Sequence, residues 1–151
     1  MDFGRHHALK SHRRVSEAGV LELWEAVPHL FVTRATGRME SAHADAWIEM
    51  ADRIVERGPR IAGIFDWLGM EAYDSDVRKR LTEWGMRHRK ELVEIHIAHS
   101  SALVRMGVSV ANIALGGLIQ PHANRATLLA KYNTLVEKLG QGDAQGARGA
   151  V

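Results

Sequence analysis

The chain has 151 residues, 46% of them apolar, and no cysteine; this suits one domain with a real core, since domains commonly hold ~100–150 residues, and excludes disulfides, thiol catalysis and cysteine-based zinc sites. The formal net charge is only +2 with a pI of about 9.2, and without a Lys/Arg run or many aromatics to stack on bases the composition argues against a nucleic-acid reader. The opening MDFGRHHALKSHRR lacks the apolar core of a secretory signal, and no apolar run reaches the ~20 residues that span a bilayer, so a cytoplasmic protein is expected.

In chain order, residues 1–16 carry Arg5, Lys10, Arg13 and Arg14 with His6, His7 and His12 and little hydrophobic pattern. They predict a flexible basic tail, either solvated or touching an acidic partner or a membrane surface. Residues 20–26 (VLELWEA) predict an edge strand, and residues 30–37 (LFVTRATG) a second strand rich in β-branched residues. The short Val27-Pro28-His29 connection between them predicts a hairpin. Residues 41–57 place Trp47, Met50, Ile54 and Val55 at helical spacing, with Ser41 as the cap and Gly58-Pro59 as the stop.

Residues 60–92 carry the most organised stretch. Ile61 to Phe65 is a short apolar run that suits a central strand buried on both faces. Asp66 follows at the expected strand end, then a polar loop, then Asp74-Ser75-Asp76, which is helix-start chemistry. Sites in open α/β sheets form where strands end and helices begin. The helix predicted over 74–91 has Val77, Leu81, Trp84, Gly85 and His88 on one stripe. Arg78, Lys79, Arg87, Arg89 and Lys90 make its other face basic, as the helix dipole or an acidic partner would favour.

Residues 93–98 (VEIHIA) predict a strand with His96 on the face opposite Val93, Ile95 and Ile97. His96 and His99 are three residues apart on a strand and turn, which does not fix them on one metal, and a hydrogen-bonded histidine is expected. Residues 100–115 are apolar nearly throughout, with Leu103, Met106, Val110 and Ile113 at helical spacing. They predict a core helix under the sheet, or an apolar groove that contacts a ligand through those four residues. Gly116-Gly117 ends it, residues 118–120 predict a short edge strand before Pro121, and Asn124 or Thr127 opens a last helix with Leu128, Tyr132, Leu135, Val136 and Leu139 on one face. Residues 140–151 predict a second flexible tail, which leaves a single domain over 17–139.

Asp66 with His96 or His99 would be the acid–base pair of an enzyme, but no nucleophile, metal set or phosphate loop accompanies them. The expectation is a non-enzymatic protein without cofactor or metal. Trp24, Trp67 and Met70 are candidates for partly exposed apolar surface, which would serve a homodimer.

The pieces IFDWLGMEAYDSDVRKRLTEWGMRHR and HSSALVRMGVSVANIALGGLI resemble the SpoIIAA-like branch of the STAS fold, the fold of bacterial anti-sigma-factor antagonists. The resemblance spans residues 20–139. It implies an α/β domain with a mixed sheet of about five strands flanked by four helices, no intrinsic catalysis, and work done by protein docking. It also implies an anti-sigma-like or switch-kinase partner seated on the loop and helix start around residues 69–80, which puts Asp66, Gly69, Asp74, Ser75, Asp76 and Arg78 in the contact. In regulatory STAS proteins that helix begins with Asp-Ser-Ser-Gly, and the second serine is phosphorylated. Here the matching residues are Asp74, Ser75, Asp76 and Val77, so the acceptor position holds an aspartate and Ser75 is the hydroxyl left to accept a phosphate. The alternative is a lipid or other apolar-ligand protein, contacting its ligand or a membrane surface through Leu103, Met106, Val110 and Ile113.

Overall fold

The fold is taken from a computed structural model that describes residues 3–5, 8, 10–58 and 60–149, with side chains up to residue 140. Among these residues the elements run β1 (Lys10–Val15), β2 (Gly19–Glu25), β3 (Leu30–Met39), α1 (Ser41–Glu56), β4 (Ile61–Tyr73), α2 (Ser75–Arg87), β5 (Leu92–His99), α3 (Ala102–Ala114), β6 (Ile119–His122) and α4 (Arg125–Gly149). The strands form one mixed sheet in the order β1-β2-β3-β4-β5-β6. The first three are antiparallel, and β3 through β6 are parallel. Parallel neighbours need crossovers, and right-handed crossovers in a sheet of sequential order place α1, α2 and α3 on one face. α4 follows the last strand and covers the other face.

Each face has its own core. On the three-helix face Phe31, Trp47 and Trp84 form a ring cluster, with Trp47 centroids 5.2 Å from Phe31 and 5.2 Å from Trp84. Under α4, Leu128 and Leu135 pack on Trp24, Leu30, Val32 and Ile64. Strand alternation assigns the faces: Phe65 and Ile97 belong to the first core, Ile64 and Ala98 to the second. A strand buried on both faces reads as a continuous apolar run, which is why 61–65 was legible.

Several boundaries differ from expectation. The basic segment is not all tail: Lys10–Val15 pairs along β2 and leaves β2 inside the sheet. A bare β2 edge would expose unpaired backbone groups. The register sets Arg13 across from Glu22 and Lys10 across from Glu25, opposite charges on facing residues. The Ser16 hydroxyl accepts from the Ala18 and Gly19 amides and tightens the hairpin turn. The sheet therefore has six strands rather than about five. α4 also continues through residue 149, past the expected end at 139. Parts of the expected tails at residues 1, 2, 6, 7, 9, 150 and 151, and Pro59, lie outside the described residues.

The start of α1 is a second correction. Glu40, not Ser41, is its N-cap: Glu40 and His43 exchange side-chain and backbone bonds, with the Glu40 amide donating to His43 Nδ1 at 2.8 Å. Its C-cap is Arg57 in right-handed geometry rather than a left-handed Gly58. Gly116 and Gly117 do take positive φ, 69° and 83°, and end α3 as read.

Candidate interaction site

β4 does not stop at Asp66. It runs to Tyr73, because Thr36 to Met39 of β3 continue to pair with Gly69 to Tyr73. The expected polar loop is strand, and Gly69 lies within it. Thr36 lies so close to Gly69 that a Cβ there would collide with its methyl group. α2 begins directly after the strand, with Asp74 as N-cap in extended geometry (φ −70°, ψ 143°).

The acids at this helix start are held by neighbours. The Asp74 carboxylate leaves the helix amides uncapped and takes Arg38 of β3, whose Nε donates at 2.8 Å. Asp76 accepts from the Ser41 hydroxyl at 2.9 Å, at the first residue of α1. Arg80 donates to Asp45 of α1 at 2.6 Å and to the Ser41 carbonyl at 3.3 Å. These bonds stitch the starts of α1 and α2 together. Ser75, Asp76 and Lys79 are exposed, and with Arg78 they border a shallow depression along α2.

Asp66 belongs elsewhere. It is 1% exposed on the α4 face, where Arg125 Nε donates to it at 2.8 Å and Arg34 Nε at 3.3 Å. Its other oxygen accepts from the Leu68 amide at 3.3 Å. A carboxylate so enclosed cannot touch a partner that sits on α2, so it leaves the expected contact set. His96 and His99 do not join it. His96 is fully buried and hydrogen-bonded to Glu94 and His122. Partial burial, reinforced by Arg105, pushes the His99 imidazole below its ordinary pKa.

The α3 stripe is reversed with respect to the core-helix expectation. Val104, Gly107 and Val108 face the sheet. Leu103, Met106, Val110 and Ile113 point outward, exposed by 39%, 59%, 45% and 82%. Both sets satisfy helical spacing, so periodicity could not choose between them. Gly107 marks the inner face, because it lies against the Tyr73 ring and a larger residue would not fit. The Tyr73 hydroxyl donates to the Leu103 carbonyl at 3.2 Å, and the Ser101 hydroxyl to the Glu71 carbonyl at 3.1 Å. These bonds bring the start of α3 beside the end of β4, next to Asp74 and Ser75. Of the expected exposed apolar surface, Trp24 and Met70 are buried and Trp67 is half-buried.

Beneath α1, α2 and α3 lies an apolar cavity of about 100 Å3, lined among others by Trp47, Phe65, Trp84, Val104 and Val108. Ligand pockets usually hold about 300–1,000 Å3. Trp47 Nε1, at its wall, is buried without a hydrogen-bond partner among the described residues. No described helix is long and apolar enough to cross a membrane.

Comparison of the sequence with family models and with curated proteins gives no match. Among solved structures, the chain is similar to an uncharacterised protein of the DUF3478 family with a SpoIIAA-like fold from Shewanella loihica PV-4. The TM-score is 0.56 at 14% identity, over 82% of this chain and 92% of that one. It is also similar to an anti-sigma factor antagonist from Mycobacterium paratuberculosis, with a TM-score of 0.51 at 13% identity, over 82% of this chain and 93% of that one. The fold is SpoIIAA-like.

Proposed function

We propose that the chain is a non-enzymatic regulatory or scaffolding module that docks a protein partner on the surface formed by the start of α2 and the outer face of α3. The observation that carries this reading is the row of Leu103, Met106, Val110 and Ile113 standing in water on a well-anchored helix. Fully burying one such side chain is worth about 1.5–3 kcal/mol, so four in line are a strong drive toward a covering surface. Ser75, Asp76, Arg78 and Lys79 of α2 add polar and charged groups that set orientation and specificity. The similar protein from Mycobacterium paratuberculosis is an anti-sigma factor antagonist, and by that analogy the partner is an anti-sigma factor or a switch kinase.

Ser75 is the phosphoacceptor in this reading. It is exposed at the first turn of α2, where unpaired amides favour added negative charge. Asp74 and Asp76 oppose that charge, so the modification acts on recognition more than on the fold. The test is affinity purification from the native cell with three baits: wild type, Met106→Glu with Ile113→Glu, and Ser75→Glu. A prey held by wild type and lost from the α3 variant supports the surface. A prey retained equally by all three baits refutes it.

A second reading rests on the cavity. A small apolar molecule with one acceptor atom would satisfy Trp47 Nε1, whose lack of a partner costs about 1–3 kcal/mol. Native mass spectrometry of freshly purified protein tests it, and a bare mass in every preparation counts against it.

A further inference from the structure

The α4 face holds a chain of four hydrogen-bonded side chains that the docking surface does not use. His96 Nε2 lies 3.0 Å from Glu94 Oε1, and His96 Nδ1 lies 3.0 Å from His122 Nε2. His122 Nδ1 lies 2.9 Å from Thr127 Oγ1. The chain crosses three elements: β5 supplies Glu94 and His96, β6 supplies His122, and α4 supplies Thr127 in its first turn. His96 is 0% exposed, His122 half-buried and Thr127 on the surface.

Proton accounting fixes what this chain tolerates. With Glu94 ionised and both imidazoles neutral, one arrangement satisfies every contact. Thr127 donates to His122 Nδ1, His122 Nε2–H donates to His96 Nδ1, and His96 Nε2–H donates to Glu94. One added proton is accepted by reversing two bonds. His96 then donates from Nδ1 to His122 Nε2, and His122 donates from Nδ1 to Thr127. The Thr127 hydroxyl turns to the Asn124 carbonyl, 3.3 Å away. A second proton on the two rings has no arrangement, because it sets two N–H groups against each other across 3.0 Å. A metal ion between the rings would need further ligands, but Glu94 lies on the far nitrogen of His96, and no group of three or more His, Cys, Asp or Glu among the described residues is placed to hold one.

We propose that Glu94, His96, His122 and Thr127 form a proton-operated latch that holds β6 and the first turn of α4 to the sheet, closed with no or one added proton and open with two. Glu94 on β5 is the carboxylate that faces His96. Lys131 on α4 opposes charge on His122, and Lys138 on α4 pairs with Glu94 at 3.8 Å. Asp66 on β4, two strands from His122 through Ala98, is occupied by Arg34 and Arg125. Partial burial, then His96, then Lys131 push the His122 pKa down from its ordinary value. The opening is local, because Leu128 and Leu135 stay anchored in the second core.

The test is hydrogen exchange on the full chain, corrected for intrinsic rates, at pH about 7.5 and about 4.5. Amide protection over residues 119–128 is expected to fall about tenfold more than in β3 and β4. His122→Gln keeps a neutral N–H donor toward His96, and its excess loss is expected to shrink to about twofold or less. An equal loss in wild type and variant, or no excess loss in wild type, overturns the latch. Should His122→Gln fail to fold, Glu94→Gln takes its place. It withdraws the carboxylate charge that faces His96, so the opening moves to lower pH, and an unchanged midpoint overturns the proposal. Partner capture by the α2–α3 surface at neutral pH is independent of either result.

Discussion

Replacing Asp66 by Asn tests whether this acid is structural or part of the contact surface. The side chain is 1% exposed and anchors two guanidinium groups, Arg125 at 2.8 Å and Arg34 at 3.3 Å. Removing one partner of a fully buried ion pair typically costs about 3–5 kcal/mol, because the charge left behind is unpaired. Here the arginine side chains keep 24% and 44% of their surface in water, which solvates part of that charge. The substituted amide can still accept from the Leu68 amide through Oδ1, so that contact survives. The expected loss is therefore about 2–3 kcal/mol. Urea slopes for domains of this size are about 2 kcal/mol/M, which converts the loss into a midpoint about 1–1.5 M lower. Arg125→Leu should cost much less in the Asp66→Asn background than in wild type, since the pair is already broken. Partner capture should be unchanged, because Asp66 lies on the α4 face and the proposed surface on the other. A midpoint moved by less than about 0.3 M with the slope unchanged refutes the structural assignment, and a lost prey without lost stability returns Asp66 to the contact set.

Deleting residues 1–16 removes β1 and bares the β2 edge; it also removes Phe3, which is 1% exposed and whose carbonyl accepts from Trp24 Nε1 at 2.9 Å. Lower thermal stability and concentration-dependent association in light scattering are expected, whereas a dispensable tail would leave both unchanged. Asp76→Ala breaks the exposed bond to Ser41 and is expected to lower stability by about 0.5–1 kcal/mol in urea melts; a much larger loss would make Asp76 a core determinant. Burial and Arg105 hold the folded His99 pKa below its unfolded value of 6.5. The neutral ring therefore stabilises the fold fully above pH 6.5, and this contribution disappears as pH falls through the folded pKa. His99→Gln should flatten that part of a stability–pH curve, and an unchanged curve would refute the assignment.

The fold was legible where local signals had one solution. The hairpin of β2 and β3, the apolar run at the start of β4 and the glycine stop at 116–117 each follow from residue types at fixed positions. What escaped depended on pairing across the sheet. Residues 10–15 look like a tail because every residue but Arg14 is exposed; only the facing acids Glu22 and Glu25 signal that they pair with β2. β4 extends through residues 66–73 because β3 continues beside it, and Asp66, Gly69 and Glu71 interrupt the apolar run that would have announced it. At α3 the spacing allowed two faces, and the glycine at 107 was the one local clue to the inner one.

The same cause misplaced the site. A carboxylate at the end of an apolar strand suggests chemistry when only its own strand is in view. In the sheet, Asp66 has Arg34 across from it in register and Arg125 descending from α4, and its charge is spent inside the protein. Asp74 and Asp76 are partly spent in the same way, on Arg38 and Ser41. The acids that looked like a binding set thus lock β3, α1 and α2 into one rigid platform. What the molecule presents is the opposite in character: an exposed apolar row on α3, and on α2 the exposed Ser75 and Lys79. A polar feature found in sequence is often answered by another part of the same chain, whereas an exposed apolar row on a rigid helix is answered by nothing among the described residues of this one. That asymmetry moves the centre of the proposed contact from the carboxylates of α2 to Met106, Val110 and Ile113.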